Sequence, residues 1–357
     1  MEINKLRLQK VIKNMYEQKL NQIIVSSTSS IYYLTGLWIE PHERMIALYI
    51  DIDGRTVLFG NEIFGIEQSG EIEYFVHTDN DNPVKDIINV VKSGKLGIDK
   101  FWSSKFLIML MEGRNDIIPV VGSAPVDFAR MYKDEQECKA LKKASAINDK
   151  VVETAINSIK DGVKEYELAS LINKTYLENG ADCEGVQLVC FGANGSDPHH
   201  TADNTVISNG DSVIFDIFIP VNHYWCDMTR TVFFKSASDE QRKVYEIVKK
   251  ANMTAESVIK PGIKLSDIDK TARDIINDAG YGKYFTHRLG HNLGIDCHEP
   301  PDVSQVSEAI AKPGMVFSVE PGIYLQGRFG VRIEDLVLVT ENGCEVLNKA
   351  SKDFRII

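Results

Sequence analysis

The chain has no excess of positive charge. Forty Lys and Arg stand against 51 Asp and Glu, a net charge of −11, so nothing is left over to neutralise nucleic-acid phosphates or anionic lipid headgroups. It has no long uncharged apolar run, and none of its segments reads as a membrane-spanning helix. Its opening, MEINKLRLQKVIKNMYEQKLN, is polar and helical in pattern, without the apolar centre of a secretion signal. Six cysteines (Cys138, Cys183, Cys190, Cys226, Cys297, Cys344) are scattered with no CxxC pair, which suits packed, reduced thiols in a cytoplasmic protein. Walker A, GxGxxG, GxSxG and HExxH patterns are absent, so nucleotide binding and serine-hydrolase chemistry have no support.

What is present is a core-forming composition. Of 357 residues, 43% are hydrophobic and 25% charged, enough for one large domain or two ordinary ones. The first third alternates strand-like segments (NQIIVSS, RMIALYI, TVLFGN, EYFVHT, KLGID) with helix-like ones (KLRLQKVIKNMYEQ, NPVKDIINVVKS, SSKFLIMLMEG). This predicts a small α/β domain over residues 1–128 and a second domain over 129–357. The second begins with two helical segments, KDEQECKALKKASAINDKVVETAINSI and KEYELASLINKTYLENG, the latter closed by a glycine stop signal. Strands are expected over 187–191, 213–219 and 229–234, helices over 239–259 and 265–279, then loops and strands. Helices, strands, helices, strands is the order of two similar halves.

Within the apolar stretch VIFDIFIPVNHYWCDMTRTVFF lie Asp216 and Asp227. A hairpin turning near Val221 and Asn222 would set them directly opposite, with Cβ atoms roughly 4.5–5.5 Å apart. Buried like charges at that distance repel. Either one is protonated or neutralised by Arg230, or multivalent cations lie between them, as in two-metal hydrolytic sites. Other polar residues sit in apolar settings. HRLGHNLGIDCHEPP supplies His287, His291 and His298, three of the chain's eight histidines, in a segment where Gly290 and Gly294 interrupt any helix. Glu320 ends an apolar strand in FSVEPG, and Glu334 sits inside another in VRIEDLVLV, two residues from Arg332. On a strand Arg332 and Glu334 would face the same way, so Glu334 alone reads equally as an ion-pair partner or a ligand. Four carboxylates and a histidine together read as a metal site.

The set CDMTRT, HRLGHNLG with HEP, FSVEPGIY, VRIED and PHH at 198–200 resembles the pita-bread metallopeptidases: Xaa-Pro dipeptidase (prolidase), aminopeptidase P and, third, methionine aminopeptidase. IYYLTGL resembles the additional N-terminal domain of the first two. The resemblance implies an α/β (α+β) chain, a small N-terminal α/β domain followed by a pita-bread catalytic domain. It implies two divalent ions, Mn²⁺ foremost and otherwise Co²⁺ or Zn²⁺, which also suit carboxylates with one imidazole. Asp216 would hold one ion, His291 and Glu320 the other, and Asp227 and Glu334 both, with a shared hydroxide as nucleophile. Glu320 would also move the proton, and His199 and His298 would contact the substrate carbonyl. Arg332 would meet a substrate carboxylate or orient Glu334.

The implied reaction is hydrolysis of the bond before proline, in Xaa-Pro dipeptides or, alternatively, at the start of longer peptides, by a homodimer. Metal-free relatives of this kind, creatinase among them, mark a further alternative, to which the five intact ligands are opposed. His287 is expected behind the ligands or in loop packing rather than in catalysis, His200 and Tyr324 as pocket lining, and Cys226 and Cys297 as packing residues turned away from their functional neighbours. Two residues depart from the family pattern: Phe218 and Asn292 stand where glycines are usual.

Overall fold

The computed structural model describes residues 2–67 and 70–357. The chain divides into two compact units, Met1–Arg130 and Met131–Ile357.

The first unit contains α1 (Lys5–Glu17), β1 (Gln22–Val25), α2 (Thr28–Thr35), β2 (Ala47–Asp51), β3 (Thr56–Asn61), β4 (Glu73–His77), α3 (Ile87–Val90), β5 (Gly94–Ile98), α4 (Ser104–Gly113) and β6 (Ile117–Val121). α5 (Ala124–Met131) runs up to the division. The strands form one mixed sheet in the order β4-β3-β2-β1-β5-β6. β1 and β2 are buried along their whole length, which explains their continuous apolar runs. Tyr49, Phe59, Leu96, Phe106 and Leu110 belong to the core against that sheet. NPVKDIINVVKS yields only the short α3; Asn82 and Pro83 spend its first residues in a turn whose Val84 N–H donates to the Asn82 side chain. β6 was not evident because Pro119 interrupts it, which an edge strand tolerates.

The second unit repeats one motif. α6 (Glu135–Asn157) and α7 (Glu165–Glu178) precede β7 (Leu188–Phe191), β8 (Ser212–Val221) and β9 (Tyr224–Phe233), a three-stranded sheet. Then α8 (Asp239–Val258) and α9 (Leu265–Asp278) precede β10 (Gly290–Asn292), β11 (Glu299–Val303), β12 (Val316–Val319), β13 (Gly322–Leu325), β14 (Phe329–Arg332), β15 (Asp335–Val339) and β16 (Cys344–Val346). Five of these strands form a sheet in the order β11-β10-β12-β15-β16, and β13 pairs with β14. The halves match in detail. Lys164 bridges Val206 as Lys264 bridges Ile310. The Glu165 and Ile207 N–H groups donate to Thr205 and Val163; those of Leu265 and Ala311 donate to Ala309 and Ile263. α7 and α9 both run out into left-handed glycines, Gly180 and Gly280. Each half has its own apolar cluster, around Val151, Ile172 and Phe215 in the first and Val248, Ile268 and Phe317 in the second.

The β8–β9 hairpin corrects one expectation. Val221 pairs with Tyr224, so the turn is Asn222-His223, not Val221-Asn222. Both turn residues have positive φ, 50° and 66°, as the tight two-residue turn that matches strand twist requires. Asp182 caps the turn, accepting from both of their N–H groups at 2.9 and 2.5 Å. The register moves accordingly. Asp216 faces Thr229, and Asp227 faces Phe218. The two aspartates are thus diagonal neighbours on one face, a separation of roughly 7–8 Å between backbones rather than direct opposition.

Candidate metal centre

Five donors converge from both halves of the second unit. β8 and β9 present Asp216 and Asp227, β10 presents His291, Glu320 follows β12, and Glu334 lies between β14 and β15. His291, expected in a loop, is on a short strand paired with β11 and β12. Gly290 permits this: a Cβ there would come within 1.9 Å of the Ser318 carbonyl oxygen. Glu334 lies just outside a strand, held by its N–H to the Thr229 carbonyl at 3.1 Å.

Ligand atoms of Asp227, His291 and Glu334 all lie within 4.8 Å of one another. The His291 Nε2 is 3.5 Å from Glu320 Oε1 and 3.7 Å from Asp227 Oδ2. Its Nδ1 faces the Asn292 carbonyl at 3.2 Å, an acceptor only, so Nδ1 carries the hydrogen and the Nε2 lone pair points at carboxylate oxygens. Asp227 and Glu334 are 5% and 2% exposed, and Asp216 Oδ1, Asp227 Oδ1 and Glu334 Oε1 are buried without a hydrogen-bond partner. Lone pairs and orphaned anionic oxygens facing one another cost free energy unless a cation joins them. The donor set therefore fits divalent cations.

The electrostatics follow from that crowding. Burial, then Asp216 and Glu320, pushes the Asp227 carboxyl well above its ordinary range; burial, then Asp227, does the same to Glu334. Glu320 rises to about 7, chiefly through burial. Burial and the nearby His298 lower His291 to about 3, leaving a neutral imidazole, the form that binds metals.

Behind the donors is a network. Arg332 donates from Nη2 to Asp216 Oδ2 (2.5 Å), from Nε to Thr229 Oγ1 (3.0 Å) and from Nη1 to Tyr324 Oη (2.8 Å). Thr229 Oγ1 in turn donates to Glu334 Oε2 at 2.8 Å. Arg332 thus touches Asp216 directly and Glu334 through Thr229, and it also lines the cavity over the donors. His287 Nε2 lies 2.9 Å from Tyr324 Oη. Ser318 accepts from the His291 N–H at 3.0 Å and donates to Glu320 at 3.1 Å. Arg230 does not neutralise the aspartates; it binds Asp335 and the Glu334 carbonyl at 2.6 and 2.7 Å.

A cavity of about 600 Å³ opens over the donors. Asp216, Asp227, His291, Glu320, Glu334, His199, His298 and Arg332 all line it, a volume suited to a small ligand. Phe218 lines it too, beside Trp225 at a ring separation of 6.3 Å. Asn292 is fully buried and donates to the Pro301 carbonyl at 2.7 Å. Cys226 points away, as expected, its Sγ 3.3 Å from the Ile219 carbonyl. Cys297 does not: it lies between β10 and β11, where strand alternation does not apply, and its Sγ is 3.7 Å from Asp227 Oδ2 at the cavity wall. Tyr324 and His200 stand behind the wall, Tyr324 bound to Arg332 and His200 to Glu165. Thr229 and Ser318 were missed, although each lies two residues from a donor and so shares its strand face.

Residues 139–341 match the model of metallopeptidase family M24, and residues 7–132 match the creatinase/prolidase N-terminal domain. An uncharacterized peptidase of Staphylococcus aureus strain USA300 is 36% identical, covering 97% of this chain and 99% of its own. Among solved structures, a prolidase from Thermococcus sibiricus superimposes with a TM-score of 0.94 at 36% identity, covering 100% of both chains. An Xaa-Pro dipeptidase from Bacillus anthracis gives 0.89 at 28% identity, covering 99% of each. The chain belongs to metallopeptidase family M24, its catalytic domain preceded by a creatinase/prolidase N-terminal domain.

Proposed function

We propose that this chain hydrolyses the peptide bond before proline in Xaa-Pro dipeptides, using two divalent ions, Mn²⁺ foremost. The observation that carries the reading is the convergence of five donors, three with orphaned buried oxygens, in one cavity rimmed by His199 and His298. The end-to-end likeness to a prolidase supports the substrate class.

In this reading Asp216 would hold one ion, His291 and Glu320 the other, and Asp227 and Glu334 would serve both. When bound, the ions supply Lewis acidity, acidifying water and polarising the scissile carbonyl. The side chains do the rest. Glu320, held beside His291 and Ser318, takes up a proton at its carboxylate and returns it to the departing proline nitrogen. Burial lowers His298, so its neutral ring offers an N–H to the carbonyl oxygen as charge develops there; His199, which also lines the cavity, is a second group to meet that oxygen. Arg332 holds Asp216 still, and Phe218 with Leu188 gives the wall an apolar side. The reading includes a homodimer, which light scattering would test.

The test is to strip the protein with a chelator, restore Mn²⁺, Co²⁺ or Zn²⁺ in turn, and offer Ala-Pro, Met-Pro, Ala-Pro-Ala, Ala-Ala and Met-Ala-Ala together. Metal-dependent loss of the Xaa-Pro dipeptides alone is expected. Dominant cutting of Ala-Pro-Ala would move the assignment to an aminopeptidase, and no cutting with any ion would overturn it.

A further inference from the structure

We infer that Glu165, a residue outside the cavity, is a positioning residue for His199. The inference rests on the reading of His199 as a group that faces the substrate.

Glu165 is the first residue of α7 and is fully buried. Its carboxylate collects four donors from the segment that carries Pro198 and His199. Oε1 accepts from the Phe191 N–H at 2.6 Å and from Asn194 Nδ2 at 3.0 Å. Oε2 accepts from His200 Nε2 at 2.8 Å and from the Asp203 N–H at 3.1 Å. One buried anion thus ties down the start, middle and end of a loop whose exposed side presents His199 to the cavity. The neighbours His199 and His200 divide the work: one faces the ligand, the other is fastened behind.

Two alternatives are weaker. Glu165, His200 and Asp203 are close enough together to suggest a second cation site. But four donors on two oxygens use the lone pairs a cation would need, and unlike Asp216, Asp227 and Glu334, Glu165 has no orphaned atom. The other alternative is that the fold simply requires a carboxylate at the start of this helix. The second half of the unit argues against it. The matching position, identified by the same bridge and the same two backbone hydrogen bonds, is Leu265, which is fully buried in an apolar cluster. The architecture accepts a hydrocarbon there. The half that has the acid uses it on its own following loop, which carries His199, while the second half brings His298 to the same cavity with a leucine at the matching position.

Glu165→Gln tests this, because an amide cannot accept on both sides: its NH₂ would face two N–H donors wherever it pointed. Three readouts are combined with the metal-loaded protein and the best Xaa-Pro substrate. First, kcat should fall by about 10²-fold, the scale expected for a misplaced catalytic group, with KM and bound metal per chain nearly unchanged. Second, the loss should vanish in a His199→Ala background, since an anchor has nothing left to position. Third, amide exchange at Phe191 and Asp203 should accelerate. His200→Gln, which keeps an N–H donor, should retain activity, and His200→Phe should lose it. A full additional loss from Glu165→Gln in the His199→Ala protein would overturn the inference, as would unchanged exchange and kcat. If the wild-type protein cuts no Xaa-Pro peptide, the proposed function falls by itself. Exchange then decides the anchor, with acceleration supporting it and wild-type rates refuting it.

Discussion

Asp227 and Glu334 are costly residues in the absence of a cation. Burial and their neighbours favour the protonated form, so each destabilises the bare protein, while on the proposed reading each would be a ligand in the loaded one. Opposite effects of one substitution follow. Asp227→Asn should raise the melting temperature of the metal-free protein, by ~2–4 °C per kcal/mol relieved for a domain of this size. It should also remove most bound metal and hydrolysis. Differential scanning calorimetry with and without chelator reads the first, and metal analysis the second.

His287 gives the pH prediction. Burial, then Arg332, lowers its ring to about 3, against an ordinary value near 6.5. Between those values the unfolded chain binds a proton that the folded chain does not, so stability rises with pH across the window and is lost as pH falls through it. The slope from this residue is at most about 1.4 kcal/mol per pH unit. His287→Gln should flatten the acid limb of a denaturation series between pH 6 and 4; an unchanged limb would refute the assignment. The five donors were legible because each is an anomaly, a carboxylate or imidazole inside an apolar segment. Thr229, Ser318 and Cys297 were not, since a hydroxyl or thiol in such a segment is ordinary and only the partner gives it a role.

Elements set the precision of the site. The hairpin was legible as a hairpin, but its register was not, because PVNHYW allows turns one residue apart. Only backbone strain at Asn222-His223 and the reach of Asp182 decide between them. α2 was not evident either: TSSIYYLT has β-branched and aromatic residues that also suit a strand, and tertiary packing overrides so weak a propensity. By contrast, α8 and α9 lie within a residue of expectation, having long 3.6-residue apolar periods and, for α8, a Ser238 capping box. The close contact at Gly290 makes an element-scale prediction. Gly290→Ala must push β10 away from Ser318, costing about 1–3 kcal/mol by the measure of overpacked cores. Because the displaced strand carries His291, metal affinity should fall as well. Urea denaturation and metal titration on one sample check both.

At the scale of the whole molecule, no half of the catalytic unit owns the centre. The aspartates belong to the sheet of the first half, the histidine and glutamates to the strands of the second. A cation that binds only when the halves are together stabilises their union by mass action, about 2.7 kcal/mol per site when free metal is a hundredfold above Kd. Chelation should therefore lower the melting temperature and broaden or split the transition of residues 131–357 as the two apolar clusters lose one of their ties. Calorimetry showing one unchanged transition would contradict this.

The division has a meaning for synthesis as well. The hairpin aspartates leave the ribosome before His291, Glu320 and Glu334, and the whole α8–α9 pair must follow before Glu334 appears. A chain stopped before residue 291 has the two aspartates without the other three residues proposed as ligands, and should capture metal poorly. With these five residues as the ligands, loading would be reserved for finished molecules, and the cation would become a certificate of completeness.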